Sequence, residues 1–341
     1  MQNFNLICEN DERSIIMGKL QRIFSSCNIN LLLGSAFSLP YLQTLTDIEK
    51  KLSIAVESGD NHKEYEIKKE FFSKSILPIM KMDFNGEDFN KKIRLLKTLS
   101  DIIDLREASV VHKICNIFTT NYDNFIETSL EKSHIDYFDG FNGRINPEFS
   151  TANYGKIICK QTEFSGRTSE SVSVNLYKLH GSLYWKQETD KIIFEDYKNR
   201  IEQISGASNE VDFLNKYNDL AIVNPEKRKF NSTVMNSNYY DQIRMLANEL
   251  ERQNTMLMAF GFSFADEHIM QIISRSLSAN PTLTLLLFPY CQNDLDRFAN
   301  LFKFNNNVFC YYNEQGSAKA IDEFSIDSFN ELMTEIYNGV K

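Results

Sequence analysis

The chain has 341 residues, 42% of them hydrophobic and 24% charged, with a formal net charge of −9, which predicts a globular protein with one large core or two modest ones. The negative charge argues against direct nucleic-acid binding, and no apolar run approaches the roughly 20 residues of a membrane helix, so we expect a cytoplasmic protein without a membrane span. The six cysteines are scattered and form no Cys-x-x-Cys pair, which predicts neither a metal site nor a disulfide framework.

The first predicted strand ends in a run of small residues. Residues 11–26 predict an opening helix, and residues 28–33 predict a short apolar strand. The strand continues directly into Gly34, Ser35, Ala36, Phe37 and Ser38. Small residues at this position allow backbone amides to approach the phosphates of a ligand. A plain turn fits the run at least as well, and Ala36 stands where a glycine would be expected.

A helical insertion is predicted next. Residues 41–111 are rich in Lys, Glu, Leu and Ile, which favours three or four helices. Because this block separates the first predicted strand from the second, we expect it to lie over the sheet and to form one wall of a cleft.

Residues 113–127, KICNIFTTNYDNFIE, combine a buried strand, a polar turn and the start of a helix. The turn contains Thr119, Thr120, Asn121, Tyr122 and Asp123. A strand that runs straight into a helix delivers such side chains to the carboxyl edge of a sheet, where open α/β sheets bind ligands. The alternative is a plain helix cap, because Thr, Asn and Asp are common at helix starts.

Two later strands are also predicted to end in polar segments. Residues 134–173 are expected to form an irregular loop or small hairpins, after which a strand at 174–179 delivers His180 and the Gly-Ser that follows it. A strand at 255–259 continues into GFSFADEH, which contains Gly261, Ser263 and Asp266. His180 could instead cap a strand end. Asp266 stands at a helix start, where a ligand contact and a capping role fit equally well.

The remaining segments complete an alternating pattern. Residues 186–219 are polar and variable, and a strand is predicted at 220–223, ahead of a Lys-Arg-Lys run at 227–229 that is expected to face solvent or a protein partner. Further helices are predicted around 236–253, 269–277, 292–304 and 325–338, and further strands at 283–288 and 308–312. This alternation predicts an α/β fold: a single Rossmann-like domain over residues 1–341, with a mostly parallel sheet and helices on both faces.

The four polar segments together resemble a known family. The order G-x-x-x-S, T-x-N-x-D, H-G and then G-x-S with an acidic residue is similar to that of sirtuin-like NAD-binding domains, and the similarity covers residues 29 to about 290. It is strongest to the divergent branch found in bacterial antiphage systems, in which the domain destroys NAD. The combination of TTNYD, KLHGS and GFSFAD is more specific than any one of these motifs.

The resemblance implies a role for each segment. Asn121 and His180 match the catalytic pair of that family, and Asp123 matches a residue that helps to hold the carboxamide of nicotinamide. The other expected NAD-binding residues are Gly34, Ser35, Ala36 and Ser38 at the pyrophosphate, Gly261 and Ser263 at the adenosine ribose, and the neighbouring Thr119 and Asp266.

Three departures from the family limit the implied activity. The first glycine motif is Gly-Ser-Ala rather than Gly-Ala-Gly, so a close backbone approach at Ala36 must tolerate a methyl group. The Asp-Phe-Arg of protein deacylases is replaced by Leu-Pro-Tyr-Leu at 39–42, and the four zinc cysteines of deacylases are missing. The last two departures argue against peptide deacylation and leave NAD binding untouched.

The resemblance therefore implies a metal-independent NAD hydrolase that yields nicotinamide and ADP-ribose, and acts as the toxic effector of an antiphage, abortive-infection system. The alternatives are a non-catalytic subunit that binds NAD or ADP-ribose, and a protein deacylase or ADP-ribosyl transferase. The predicted sheet extends almost to the end of the chain, so we expect no separate sensor domain. Control is then expected from a homo-oligomer or a defence-system partner such as a HerA-type ATPase, a short Argonaute or a nucleotide-processing subunit.

Overall fold

The computed structural model describes residues 5–8, 13–43, 51, 52, 54, 55, 58–161, 166–188, 191–222, 237–312, 314, 315, 320, 321 and 323–341. Within these residues, none of the helices has the length and apolar character needed to cross a membrane.

Strands and helices alternate over most of the chain. In chain order the strands are β1 (Asn5–Cys8), β2 (Asn28–Leu33), β3 (Ile114–Thr119), β4 (Asp136–Phe138), β5 (Phe141–Asn142), β6 (Glu148–Phe149), β7 (Cys159–Gln161), β8 (Thr168–Glu170), β9 (Ser173–Lys178), β10 (Trp185–Gln187), β11 (Ile192–Phe194), β12 (Thr255–Phe260), β13 (Leu283–Leu287), β14 (Val308–Tyr312), β15 (Glu314–Gln315) and β16 (Ala320–Ile321). The α-helices are α1 (Arg13–Ser26), α2 (Asn61–Phe71), α3 (Glu87–Asp104), α4 (Phe125–Lys132), α5 (Lys198–Ser205), α6 (Glu210–Asn218), α7 (Ser237–Glu251), α8 (Glu267–Ala279), α9 (Gln292–Leu301) and α10 (Ile326–Val340).

Eight strands form one sheet in the order β1-β14-β13-β12-β2-β3-β9-β4, and each neighbouring pair is parallel. From β2 the chain adds β3 and β9 on one side, and later β12, β13 and β14 on the other. The strand order therefore reverses between β2 and β12, and open α/β sheets bind ligands outside the carboxyl ends of the strands at such a point. The predicted α/β, Rossmann-like fold is confirmed.

Apolar layers cover both faces of the sheet. Ile29, Leu31 and Leu33 of β2 face a core that also contains side chains of α1, α3 and α10. Leu32 faces the opposite core, which contains side chains of α7, α8 and α9. Alternate residues of a strand point to opposite faces, so burial on both sides explains why four of the six residues of β2 are apolar.

The described residues between β2 and β3 are mainly helical. A π-helical turn and a 3-10 turn connect α2 to the segment before α3. α3 places Phe89, Leu95 and Leu99 in the first core, where the helix packs against α4 and α10. One part of the predicted insertion thus covers the sheet directly.

Several local predictions differ from the structure. β1 is an edge strand that the sequence pattern did not indicate. The segment 134–173 contains short strands that include the antiparallel pairs β5–β6 and β7–β8, in keeping with the small hairpins that were one of its two expected forms, and the excursion at 186–219 contains β10, β11, α5 and α6. The strand predicted at 220–223 is wrong: Ile222 makes only an isolated bridge to Gly181, and residues 220–222 are apolar because they are buried, not because they pair in the sheet. Residue 223 and the Lys-Arg-Lys run at 227–229 lie outside the described residues.

Candidate functional site

The four polar segments predicted from the sequence follow four adjacent strands. GSAFS follows β2, TTNYD ends β3, HGS follows β9 and GFSFADEH follows β12, and these strands are neighbours in the order β12-β2-β3-β9. Because the strands are parallel, all four segments meet at the carboxyl edge of the sheet. This edge includes the point between β2 and β12 where the strand order reverses, the position at which such folds bind ligands.

The two glycine turns at this edge are in backbone contact. The amide of Gly34 donates to the carbonyl of Phe260 at 3.0 Å, and a Cβ atom at position 34 would lie 2.3 Å from the carbonyl oxygen of Gly261. Gly261 has a φ of +64°, and a Cβ atom there would lie 2.5 Å from Cβ of Ala36. Ala36 therefore fits because its methyl group lies against a glycine. Both glycines are required by this close approach, whatever ligand the turns bind.

Asn121 joins the first turn to the second. Its Nδ2 donates to the carbonyl of Gly34 at 2.9 Å and to Oγ of Ser38 at 3.0 Å. The Ser38 hydroxyl donates in turn to Oδ2 of Asp123 at 2.6 Å, and Oδ1 of Asp123 accepts from the amide of Phe125 at 3.0 Å. Both amide hydrogens of Asn121 are thus used, which leaves its Oδ1 to accept a hydrogen bond from a ligand or a water.

Thr119 anchors this turn, and Tyr122 is one of the turn's own residues. Thr119 is fully buried, and its hydroxyl donates to the carbonyl of Leu33 at 2.8 Å and accepts from the amide of Asn121 at 3.0 Å. Thr119 therefore ties the ends of β2 and β3 together. Burial raises the pKa of the Tyr122 phenol above its usual value, so Tyr122 stays neutral in this position.

His180 is paired with Asp266 across the ends of the central strands. Its Nε2 lies 2.9 Å from Oδ2 of Asp266, and the two side chains are only 12% and 10% exposed. The other oxygen of Asp266, Oδ1, caps α8 by accepting from the amides of His268 and Ile269. Of the two roles weighed for Asp266, the structure shows the cap and adds the contact with His180; the contact with a ligand stays a prediction.

The backbone before Asp266 is unusual. Phe264 has a φ of +57°, a left-handed conformation that is uncommon for a bulky residue, and its ring packs against Phe262, Phe298 and Phe302. This conformation turns the chain so that α8 begins at the edge of the sheet. Oγ of Ser263 accepts a hydrogen bond from the amide of Ala265 at 3.3 Å. Ser35, which is also expected to bind NAD from a glycine turn, lies exposed in the turn after β2.

Two buried lysines at this edge were missed by the sequence prediction. Lys92 of α3 donates to the carbonyl of Leu39 at 2.7 Å, and burial lowers the pKa of its ammonium to about 8, against the opposing effect of Asp123. Lys178, the last residue of β9, contacts backbone carbonyls of the TTNYD turn. A signal existed for both, because Lys92 lies on the apolar face of α3 between Phe89 and Leu95, and Lys178 stands between two hydrophobic residues at the end of a buried strand.

Within the part of the chain that the structure describes, no group of three or more His, Cys, Asp and Glu side chains is arranged to hold a metal ion. The prediction of a metal-independent site is therefore left for experiment.

Comparison with known proteins bears directly on this site. The SIR2-like domain family matches residues 116–308, more than half of the chain. The chain belongs to the SIR2-like domain family. The matched region includes the TTNYD, HGS and GFSFADEH segments of this SIR2-like domain. The GSAFS turn precedes the matched region.

Membership of this family indicates a sirtuin-type, NAD-related function for the SIR2-like domain. Among solved structures, a Sir2 mutant with a p53 peptide and NAD is similar, with 10% sequence identity, a TM-score of 0.48, and coverage of 95% of this chain and 99% of that chain. A likeness at this level carries no further argument. A comparison with curated proteins found no match.

Proposed function

We propose that this SIR2-like domain is an NAD+ glycohydrolase that cleaves NAD to nicotinamide and ADP-ribose, with water as the acceptor. The observation that supports the proposal best is the arrangement of Asn121 and His180 at the same sheet edge. Asn121 is held by Gly34 and Ser38, and His180 is oriented by Asp266. A protein that only binds NAD has no need of an imidazole oriented by a carboxylate.

The reaction breaks the bond between the nicotinamide nitrogen and C1′ of the ribose. The electron pair of that bond leaves with neutral nicotinamide, positive charge develops at C1′, and the oxygen of a water forms the new bond. The water must lose a proton, and histidine suits the role of base because its side chain titrates near neutral pH. In the proposed mechanism His180 takes this proton, and Asp266 stabilises the imidazolium that forms.

The remaining residues orient the substrate in this proposal. Oδ1 of Asn121 accepts a hydrogen bond from the attacking water, since both hydrogens of its amide are already used. The carboxylate of Asp123 keeps a second lone pair on each oxygen for the carboxamide of nicotinamide. The glycine turn at Gly34 faces the pyrophosphate, where backbone amides are favourable for negative charge.

Two features of the sequence favour water over a protein acceptor. The chain has Leu-Pro-Tyr-Leu at residues 39–42, where protein deacylases have Asp-Phe-Arg, and it has no Cys-x-x-Cys pair for the zinc of deacylases. Both observations argue against peptide deacylation and leave hydrolysis as the simpler reaction.

The test is a time course of NAD loss with the purified chain, its Asn121→Ala and His180→Ala variants, and His112→Ala as a matched control. His112 is 53% exposed and pairs with Glu170, before the start of β3. We expect each of the first two variants to stay folded and to lose about 100- to 10,000-fold in turnover, and the control to behave as wild type. Normal turnover in a folded His180→Ala variant would overturn the assignment, and tight NAD binding by wild type without cleavage would indicate a binding subunit instead.

We further propose that this hydrolase is the toxic effector of an antiphage system and is controlled by assembly with itself or with a partner of that system. The support is the specific resemblance of TTNYD, KLHGS and GFSFAD to domains of such systems. We expect turnover per chain to rise with protein concentration or on addition of the partner, because control by assembly shifts a population toward the active form. Full activity of a strict monomer at all concentrations would contradict this form of control.

A further inference from the structure

The turn that contains Asn121 depends on contacts from outside itself. Three successive carbonyl oxygens, those of Asn121, Tyr122 and Asp123, accept hydrogen bonds from the β9 side of the sheet edge. The amide of Leu183 donates to Tyr122 at 3.0 Å, and the ammonium of Lys178 donates to the other two. Buried carbonyl groups need such partners, so these contacts determine where the turn lies.

Lys178 is placed to hold this turn. It ends β9 directly opposite Thr119 of β3, and its side chain is 2% exposed. Nζ contacts the carbonyl of Asn121 at 3.3 Å, the carbonyl of Asp123, and Oε1 of Glu127 at 2.9 Å. A lysine ammonium has three donors, and here three acceptors surround it.

Glu127 is an imperfect partner in this group. Its Oε2 is buried without a hydrogen-bond partner, and burial raises the pKa of its carboxyl to about 7, although Lys178 opposes the rise. Burial therefore favours the protonated form of Glu127, and the contacts of Lys178 with the two carbonyls do not require an ionised Glu127. The two carbonyls are the contacts that matter for the turn.

We propose that Lys178 is a positioning residue, whose ammonium holds the carbonyls of Asn121 and Asp123 and thereby places the Asn121 amide and the Asp123 carboxylate for NAD cleavage. The predicted effect on NAD cleavage rests on the proposed function, whereas the predicted effect on the position of the turn does not. The opposing explanation is that Lys178 and Glu127 form a buried ion pair that stabilises the fold and has no specific effect on the turn.

Three variants separate these explanations. Glu127→Gln removes the counter-charge and leaves Lys178 with at least two N–H donors, enough for the two carbonyls, whether the amine is charged or neutral. Lys178→Met removes the donors but leaves a buried carboxyl group, which endangers folding. The double variant Lys178→Met/Glu127→Gln removes both charges, so it is the variant that should fold and still lack the contacts with the turn. Its thermal unfolding is measured first.

The first measurement is hydrogen exchange of peptides that cover residues 117–125, without NAD. We expect faster exchange in the double variant and wild-type exchange in Glu127→Gln. The second is steady-state NAD cleavage, in which we expect the double variant to lose about 100-fold in kcat with a smaller change in KM, since a small displacement of reacting groups costs about that much. Glu127→Gln should stay close to wild type in both constants.

A purely structural ion pair makes the opposite prediction. In that case Glu127→Gln and Lys178→Met should be impaired to the same degree, and the double variant should recover. A folded double variant with wild-type exchange and wild-type kcat would overturn the positioning role. If wild type itself does not cleave NAD, the proposed function fails, while the exchange measurement still decides the role of Lys178.

Discussion

The most direct test of the site geometry is the substitution Ser38→Ala. Ser38 is 3% exposed, and its hydroxyl is the only link shown between the Asn121 amide and the Asp123 carboxylate in the described part of the chain. The substitution removes two hydrogen bonds, one at 3.0 Å from a neutral amide and one at 2.6 Å to a carboxylate. It leaves a buried donor and a buried acceptor without partners.

The cost follows from those two bonds. A hydrogen bond to a charged group contributes about 1.5–3 kcal/mol and one between neutral groups about 1 kcal/mol, so Ser38→Ala should lower the free energy of unfolding by about 2–4 kcal/mol. The matched control is Ser129→Ala. Ser129 is equally buried, but its hydroxyl donates to the carbonyl of Phe125 one helical turn earlier, so its loss should cost about 1 kcal/mol or less.

The assay is urea unfolding followed by fluorescence of Trp185, the only tryptophan of the chain, which is 2% exposed in the folded protein. NAD turnover is measured on the same samples, and we expect a loss for Ser38→Ala alone, because Asn121 is no longer held on one side. Equal unfolding free energies for the two variants, together with unchanged turnover of Ser38→Ala, would refute the view that Ser38 couples Asn121 to Asp123.

Three further predictions concern the turns, the titration of the buried acid and metals. Gly34→Ala should destabilise the fold by about 1–3 kcal/mol and weaken NAD binding measured by calorimetry, because the new methyl group would lie 2.3 Å from the carbonyl oxygen of Gly261. The control is Gly18→Ala in α1, where a Cβ atom meets nothing within 4 Å, and this substitution should be neutral or stabilising. Glu127 binds its proton more tightly in the folded state, with a pKa of about 7 against 4.5, so it contributes stability below pH 4.5 that is lost as the pH rises to 7. Glu127→Gln should remove up to roughly 3 kcal/mol of this pH dependence of the unfolding free energy in urea titrations. An unchanged dependence of the unfolding free energy on pH would contradict the shift. Turnover should be unaffected by a strong chelator, and a loss that added zinc or magnesium restores would reveal a metal requirement.

Local sequence patterns were sufficient for much of the fold and for the expectation that polar segments stand at the ends of strands. Apolar runs at 28–33 and 255–259 predicted buried strands, and small or polar residues directly after them predicted the ends of those strands. These inferences worked because burial on both faces of a parallel sheet requires a nearly continuous apolar strand. The same logic failed at 220–222, since a short apolar run is equally compatible with buried chain that does not pair.

The tertiary structure alone decided which of these segments are neighbours. No local pattern specifies that β12 lies beside β2, so the contact of Gly261 with Gly34 and Ala36, and the pairing of His180 with Asp266, followed only from the strand order. The sequence by itself determined that polar groups would stand at strand ends. The order of the strands determined which groups meet, because these contacts join residues more than 80 positions apart in the chain.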